Sequence, residues 1–229
     1  MYFRDRSDAG RFLARDLSHL RDSGDLIVLA LPRGGVPVGY EIAQALHAPL
    51  DVFVVRKLGV PGQEELAMGA VAPGGVRVLN AEVIMAMGRF AEEAIEQAVK
   101  RETEELRRRE EDYRGSRPFP ELKGKTVILV DDGLATGATM RAAARAVRTR
   151  EPARVIIAVP VAAETTCREI QREADEVVCG VIPEAFFGVG QFYEDFSQTT
   201  DEEVRSFLEG TVPVKETTPP NDQHGGSCA

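Results

Sequence analysis

The sequence predicts an α/β fold, a mostly parallel sheet flanked by helices, and three observations lead there. Short runs of apolar β-formers, at residues 26–30, 127–130 and 155–159, are continuous rather than alternating, which is the pattern of strands buried on both faces. Each run is followed by a small-residue turn and then by apolar residues at helical spacing, and that alternation implies parallel strands joined by crossover helices. At 229 residues, 43% hydrophobic and 28% charged, the chain can bury a full core without disulfides or a structural metal.

In chain order, Ser7 is the expected N-cap of a first helix whose stripe is Ala9, Phe12, Leu13, Leu17 and Leu20, stopped by Gly24. Residues 26–30 form the first core strand, 36–46 a helix with Pro37 in its first turn, and 51–55 the second strand. Residues 67–71 and 76–79, separated by Pro73-Gly74-Gly75, read as a hairpin. From 81 to 113 the residues Val83, Met87, Phe90, Ala94, Ile95, Ala98 and Leu106 keep helical spacing, with Glu104/Arg108 and Glu105/Arg109 as i,i+4 pairs. This inserted long helix is either partly solvated or, on the same face, a homodimer contact. After the strand at 127–130 come a helix at 140–148, a strand at 155–159, a helix at 164–173 and a short strand at 176–179. Residues 1–211 are expected to form one domain with its core at about 25–180, and 212–229, poor in apolar residues, a flexible tail.

Several function classes are set aside by composition. A formal charge of −9 disfavours nucleic acid and anionic membrane as partners, since both select basic patches. No apolar run approaches the roughly 20 residues of a membrane span, and the opening Tyr2-Phe3-Arg4-Asp5 does not resemble a signal peptide, so a cytoplasmic location is expected. Cys167, Cys179 and Cys228 have unrelated spacings and no neighbouring His, as expected of buried or incidental thiols. His19, His47 and His224 show no acidic partner in the sequence.

The chemistry is concentrated where the strand at 127–130 stops in Asp131-Asp132-Gly133-Leu134-Ala135-Thr136-Gly137-Ala138-Thr139. A strand-to-helix junction gathers unpaired backbone N–H groups at the positive end of a helix dipole, and Gly137 lets an anion approach the backbone. Thr136 and Thr139 add hydroxyl donors. Two carboxylates cannot welcome a phosphate, so Asp131 and Asp132 face sugar hydroxyls or hydrated Mg²⁺. Phosphate, sugar and metal together describe a phosphorylated ribose. Neither a P-loop nor a Rossmann dinucleotide motif occurs in the chain.

This segment resembles the signature of type I phosphoribosyltransferases. The resemblance implies that Asp131 and Asp132 hold the ribose hydroxyls, and Mg²⁺ through water, while Gly133, Ala135, Thr136, Gly137, Ala138 and Thr139 hold the phosphoribose 5′-phosphate of phosphoribosyl pyrophosphate. Leu31-Pro32-Arg33-Gly34-Gly35 resembles the family's pyrophosphate loop, with Arg33, Gly34 and Gly35 as its ligands and a cis Pro32–Arg33 peptide as an implied feature. Arg56-Lys57-Leu58-Gly59-Val60-Pro61 is similar to the start of the flexible loop in adenine phosphoribosyltransferases, which assigns Arg56 and Lys57 to the pyrophosphate and to catalysis. Residues 58–65 are expected to be a mobile lid. Ala67 stands where that family has a Glu, a departure that leaves adenine unsupported. Arg114 and Arg117 either reach a phosphate or occupy a surface turn.

The family's variable hood corresponds to residues 183–208, where Phe186, Phe187, Phe192, Tyr193 and Phe196 either stack on a base or form a satellite core; Phe187 and Tyr193 are the candidate base contacts. The chain also resembles bacterial phosphoribosyltransferases of unassigned acceptor over nearly its whole length, Tyr193-Glu194-Asp195-Phe196-Ser197-Gln198 included. The implied reaction displaces pyrophosphate from the ribose with a base-like small molecule. Two rivals use the same residues: a phosphoribosyl pyrophosphate or nucleotide sensor, and a phosphoribosyl hydrolase with water as acceptor.

Overall fold

The computed structural model describes residues 2–21, 23–88 and 91–211. Five strands, β1 (Leu26–Ala30), β2 (Leu50–Val52), β6 (Thr126–Val130), β7 (Arg154–Val161) and β8 (Glu176–Val181), form a parallel sheet in the order β2-β1-β6-β7-β8. Helices α1 (Arg6–Asp16), α2 (Gly35–Leu46), α4 (Ala91–Arg114) and α7 (Asp201–Glu209) share one core with residues such as Val28, Ala30 and Ile128. Helices α5 (Ala138–Arg148) and α6 (Glu164–Ile170) cover the opposite face, against Ile27, Leu29 and Val127. Continuous burial of all five residues of β1 follows from this two-sided cover. The strand order reverses between β1 and β6, and such a switch point opens a crevice beyond the strands' carboxyl ends.

A second, antiparallel sheet, β3 (Arg56–Val60), β4 (Gln63–Ala72) and β5 (Val76–Leu79), stands apart, followed by α3 (Ala81–Met87). The β4–β5 hairpin is the one expected, but the lid region is different. Leu58 to Val60 pair with β4, so most of the expected lid is hairpin rather than irregular loop. The second core strand also ends earlier than expected, at Val52. There Arg114 binds the Asp51 carboxylate at 2.9 Å and donates to the Val52 carbonyl at 3.0 Å. That carbonyl is then committed to a side chain.

Other expectations shift for identifiable reasons. Asp5, not Ser7, caps α1, its carboxylate accepting from Asp8 N. The stretch 81–113 is two helices, because Gly88 closes α3 at φ 60; Phe90 lies outside the described residues, as do the 212–229 tail, His224 and Cys228. Arg108 pairs with Glu105 and Asp112 rather than Glu104, while Glu105–Arg109 is as expected. Arg114 occupies neither a surface turn nor a phosphate site; it is buried against Asp51 and Glu110. Cys167 and Cys179 are joined as a disulfide between α6 and β8, a pairing across 12 residues that spacing alone did not announce. His19 does meet an acid, Glu176, at 3.5 Å.

Candidate active site

Two loops leave adjacent strands at one level, since Ala30 of β1 pairs with Val130 of β6. From β1 comes Leu31-Pro32-Arg33-Gly34-Gly35, with the Pro32–Arg33 peptide cis, as the resemblance implied. From β6 comes the acid pair. The loops touch through glycine: a side chain on Gly34 would collide with the Asp132 carboxylate, and one on Gly35 would lie 2.7 Å from the Val130 carbonyl. No side chain larger than hydrogen leaves these loops in contact.

Beyond the acids the chain is pinned from below. Leu134 N donates to Val161 O at 2.9 Å, and the Thr166 hydroxyl donates to Ala135 O at 2.7 Å. Gly137, at φ 67, starts α5, and a methyl there would meet Thr166 at 2.8 Å. Among the described residues, the backbone N–H groups of Ala135, Thr136, Gly137, Ala138 and Thr139 have no protein acceptor. Five such donors at the start of an 11-residue helix make an anion cradle. Ala135, Thr136, Ala138 and Thr139 are exposed, while Gly133 is buried under Val189.

The acid pair is electrostatically uneven. Burial, then the neighbouring Asp132 charge, pushes Asp131 well above the usual carboxylate range. Burial also raises Asp132, opposed by Arg6, whose Nε lies 2.9 Å from Oδ2. Arg6 lies 126 residues from Asp132 and belongs to no motif, so the sequence does not single it out.

The expected cations are similarly engaged. Arg33 lies 3.8 Å from Asp201, the first residue of α7. Asp201 also accepts from the Tyr113 hydroxyl at 2.6 Å, and that phenol, buried first and then held by Asp201, is pushed up to about 12. Arg56 donates twice to Glu102 of α4, at 3.0 and 2.7 Å, rather than standing unpaired. Lys57 is exposed and lines a cleft of about 500 Å³ together with Leu79, Ala138, Thr139, Arg141 and Arg145. The second sheet thus carries Lys57 to the loop that opens α5, although Asp131 and Asp132 lie outside this lining.

In the hood region the candidate base contacts separate. Phe187 is 91% exposed. Tyr193 instead is 6% exposed, tilted against Phe3 and Phe196, with its hydroxyl donating to Asp132 O at 2.7 Å. Phe192 and Tyr193 join Phe3 in a satellite core. Its contacts make Tyr193 a support of the acid pair.

A family model for the phosphoribosyl transferase domain matches residues 5–197. The chain belongs to the phosphoribosyl transferase domain family. It is 44% identical to the protein in the crystal structure of TT1426 from Thermus thermophilus, with a TM-score of 0.81, covering 91% of this chain and 98% of that one. It is 49% identical over 208 residues to proteins of Mycobacterium tuberculosis strains CDC 1551 and H37Rv, each named "Putative phosphoribosyl transferase". That match covers 90% of this chain and 46% of theirs, so the chain spans about half the length of those relatives. Among the described residues no helix is long and apolar enough to cross a membrane.

Proposed function

We propose that this chain transfers phosphoribose from Mg²⁺-phosphoribosyl pyrophosphate to a nitrogenous base or related acceptor and releases pyrophosphate. The observation that carries this reading is the seating of the acid pair against Gly34, with an N–H cradle for a phosphate on one side and the Arg33 loop on the other. Residues 135–139 bind the 5′-phosphate, Asp131 and Asp132 the ribose hydroxyls, and Arg33, Gly34 and Gly35 the pyrophosphate. A nitrogen of the acceptor attacks C1 as the C1–O bond breaks, and the bonding pair leaves with pyrophosphate. The acceptor's proton passes to solvent. Asp131 and Asp132 offer negative potential to the cationic character at C1, while Arg33, Arg56 and Lys57 meet the charge on the departing group. For Arg56 and Arg33 this requires an exchange of partner, from Glu102 and Asp201 to the ligand. Phe187, exposed in the hood, is the ring available to a base; Tyr193 acts from behind Asp132.

The carboxylate oxygens of Asp131 and Asp132 are hard donors of the kind Mg²⁺ takes, and phosphate oxygens of the ligand would complete the set. Asp131 and Asp132 would hold it through water, and it would supply charge neutralisation at the pyrophosphate.

Incubation with phosphoribosyl pyrophosphate, Mg²⁺ and a panel of bases, following pyrophosphate and base separately, tests this reading. Equal loss of base and gain of pyrophosphate is expected. Pyrophosphate release without base consumption would mark a hydrolase, and binding without turnover a sensor.

A further inference from the structure

Arg6 lies at a point where three parts of the molecule meet. Its Nε is 2.9 Å from Asp132 Oδ2, its Nη1 is 2.6 Å from the Ser197 carbonyl, and its guanidinium carbon is 4.1 Å from the centre of the Phe196 ring. Only 11% of the side chain is exposed. A methyl added to Gly34 would come within 3.3 Å of Nε, so Arg6 also borders the Arg33 loop. Asp132 is therefore held twice, by Arg6 at the carboxylate and by Tyr193 at the carbonyl. Its Oδ1 has no protein donor among the described residues.

The geometry points to Arg6 as a positioning residue for Asp132: it anchors Oδ2 against Gly34, which leaves Oδ1, without a protein donor among the described residues, for a ribose hydroxyl. This rests on the phosphoribosyl reading above. The side-chain type matters. A guanidinium can stack on Phe196 while its separate N–H groups reach Asp132 and Ser197, whereas an ammonium is a point donor that cannot fill all three contacts from one plane. Arg6 also ties the acid pair to the hood region, beside the backbone bonds that Phe3 and Arg4 make to residues 192, 194 and 195.

The test is a double-mutant cycle on the full chain. Affinity for phosphoribosyl pyrophosphate with Mg²⁺ is measured by calorimetry, and thermal stability alongside it, for wild type, Arg6→Gln, Arg6→Lys, Asp132→Asn and Arg6→Gln with Asp132→Asn. Arg6→Gln should weaken binding on the order of tenfold, as expected for loss of a charge-assisted bond, and Arg6→Lys should recover part of it. In the Asp132→Asn background Arg6→Gln should cost no further affinity, because the group it positions is already changed. Affinity unchanged in Arg6→Gln, or losses that simply add in the double variant, would overturn the assignment of Arg6 alone. If Arg6→Gln does not fold, equal affinity of Arg6→Lys and wild type overturns it instead. Absence of binding by the wild type would overturn the phosphoribosyl reading, and this inference with it.

Discussion

Two arginine–aspartate pairs, Asp51–Arg114 and Arg6–Asp132, each join distant parts of the chain with an Nε-to-oxygen distance of 2.9 Å, yet their surroundings differ. At Asp51–Arg114 the side chains are 8% and 5% exposed; Arg114 also binds Glu110 and the Val52 carbonyl, and the Asp51 oxygen that takes Arg114 Nε also accepts from Val52 N. Burial raises Asp51 despite Arg114, so this carboxylate depends on its partner to stay charged. At Arg6–Asp132 the carboxylate is less buried, its Oδ2 is held by Arg6 over Gly34, and its Oδ1 has no protein donor among the described residues. The same chemistry closes a strand end in one place and presents an acceptor in the other. Deeper burial of both partners separates the structural pair from the site.

The largest expected effect tests the closed pair. Arg114→Met leaves Asp51 buried without its cation and should cost about 3–5 kcal/mol in urea denaturation, while ligand affinity of the folded fraction is retained. Loss of affinity with stability intact would break the distinction. The neighbouring cations sharpen it. Arg56→Ala, which strips both donors from one oxygen of buried Glu102, should lower both stability and turnover. Lys57→Ala should lower turnover about tenfold with every acceptor, whereas Phe187→Ala should change preference among acceptors. A Phe187→Ala variant that loses turnover uniformly would remove the hood from base selection.

How far these roles could be read from sequence follows from how local they are. Strand β6, the acid pair, the loop to α5 and the cis Pro32–Arg33 peptide lie within short windows, and there local pattern and resemblance sufficed. Arg6, Glu102, Asp201 and Arg114 act on partners 126, 46, 168 and 63 residues away, and no periodicity carries such a pairing. Ending β2 at Val52 likewise needed Arg114, supplied by the far end of α4. The hairpin form of residues 58–65 is not legible locally, because Gly and Pro suit an irregular loop and the tight turn between β3 and β4 alike. Tyr193 falls in the satellite core, one of the two places open to it, because an aromatic cluster reads alike whether it faces a base or a core.

Smaller effects concern protonation. The fold raises Asp131, so the stability it contributes is present below the ordinary carboxylate range and lost as pH rises through the raised value. Asp131→Asn should therefore melt above wild type at pH 7 and lose that advantage in acid, while failing to bind phosphoribosyl pyrophosphate. A lower melting temperature at pH 7 would contradict a cost of burying its charge. The smallest effect is expected at Glu105, held down to about 2 chiefly by hydrogen bonds from Arg108 and then Arg109. Its contribution is present above its ordinary value and fades as pH falls toward 2, but the cluster is solvent-screened. Glu105→Gln should shift the melting temperature by about a degree or two at most, and less in high salt.

The central claim is that the acid pair and the two loops form one phosphoribosyl pyrophosphate site. Calorimetric titration of wild type and Asp132→Asn with phosphoribosyl pyrophosphate and Mg²⁺ tests it most directly. Saturable binding by wild type, displaced by both pyrophosphate and ribose 5-phosphate and weakened at least about tenfold in a fully folded Asp132→Asn, is the expected result. Equal affinity of the two proteins, or displacement by neither fragment, would contradict it.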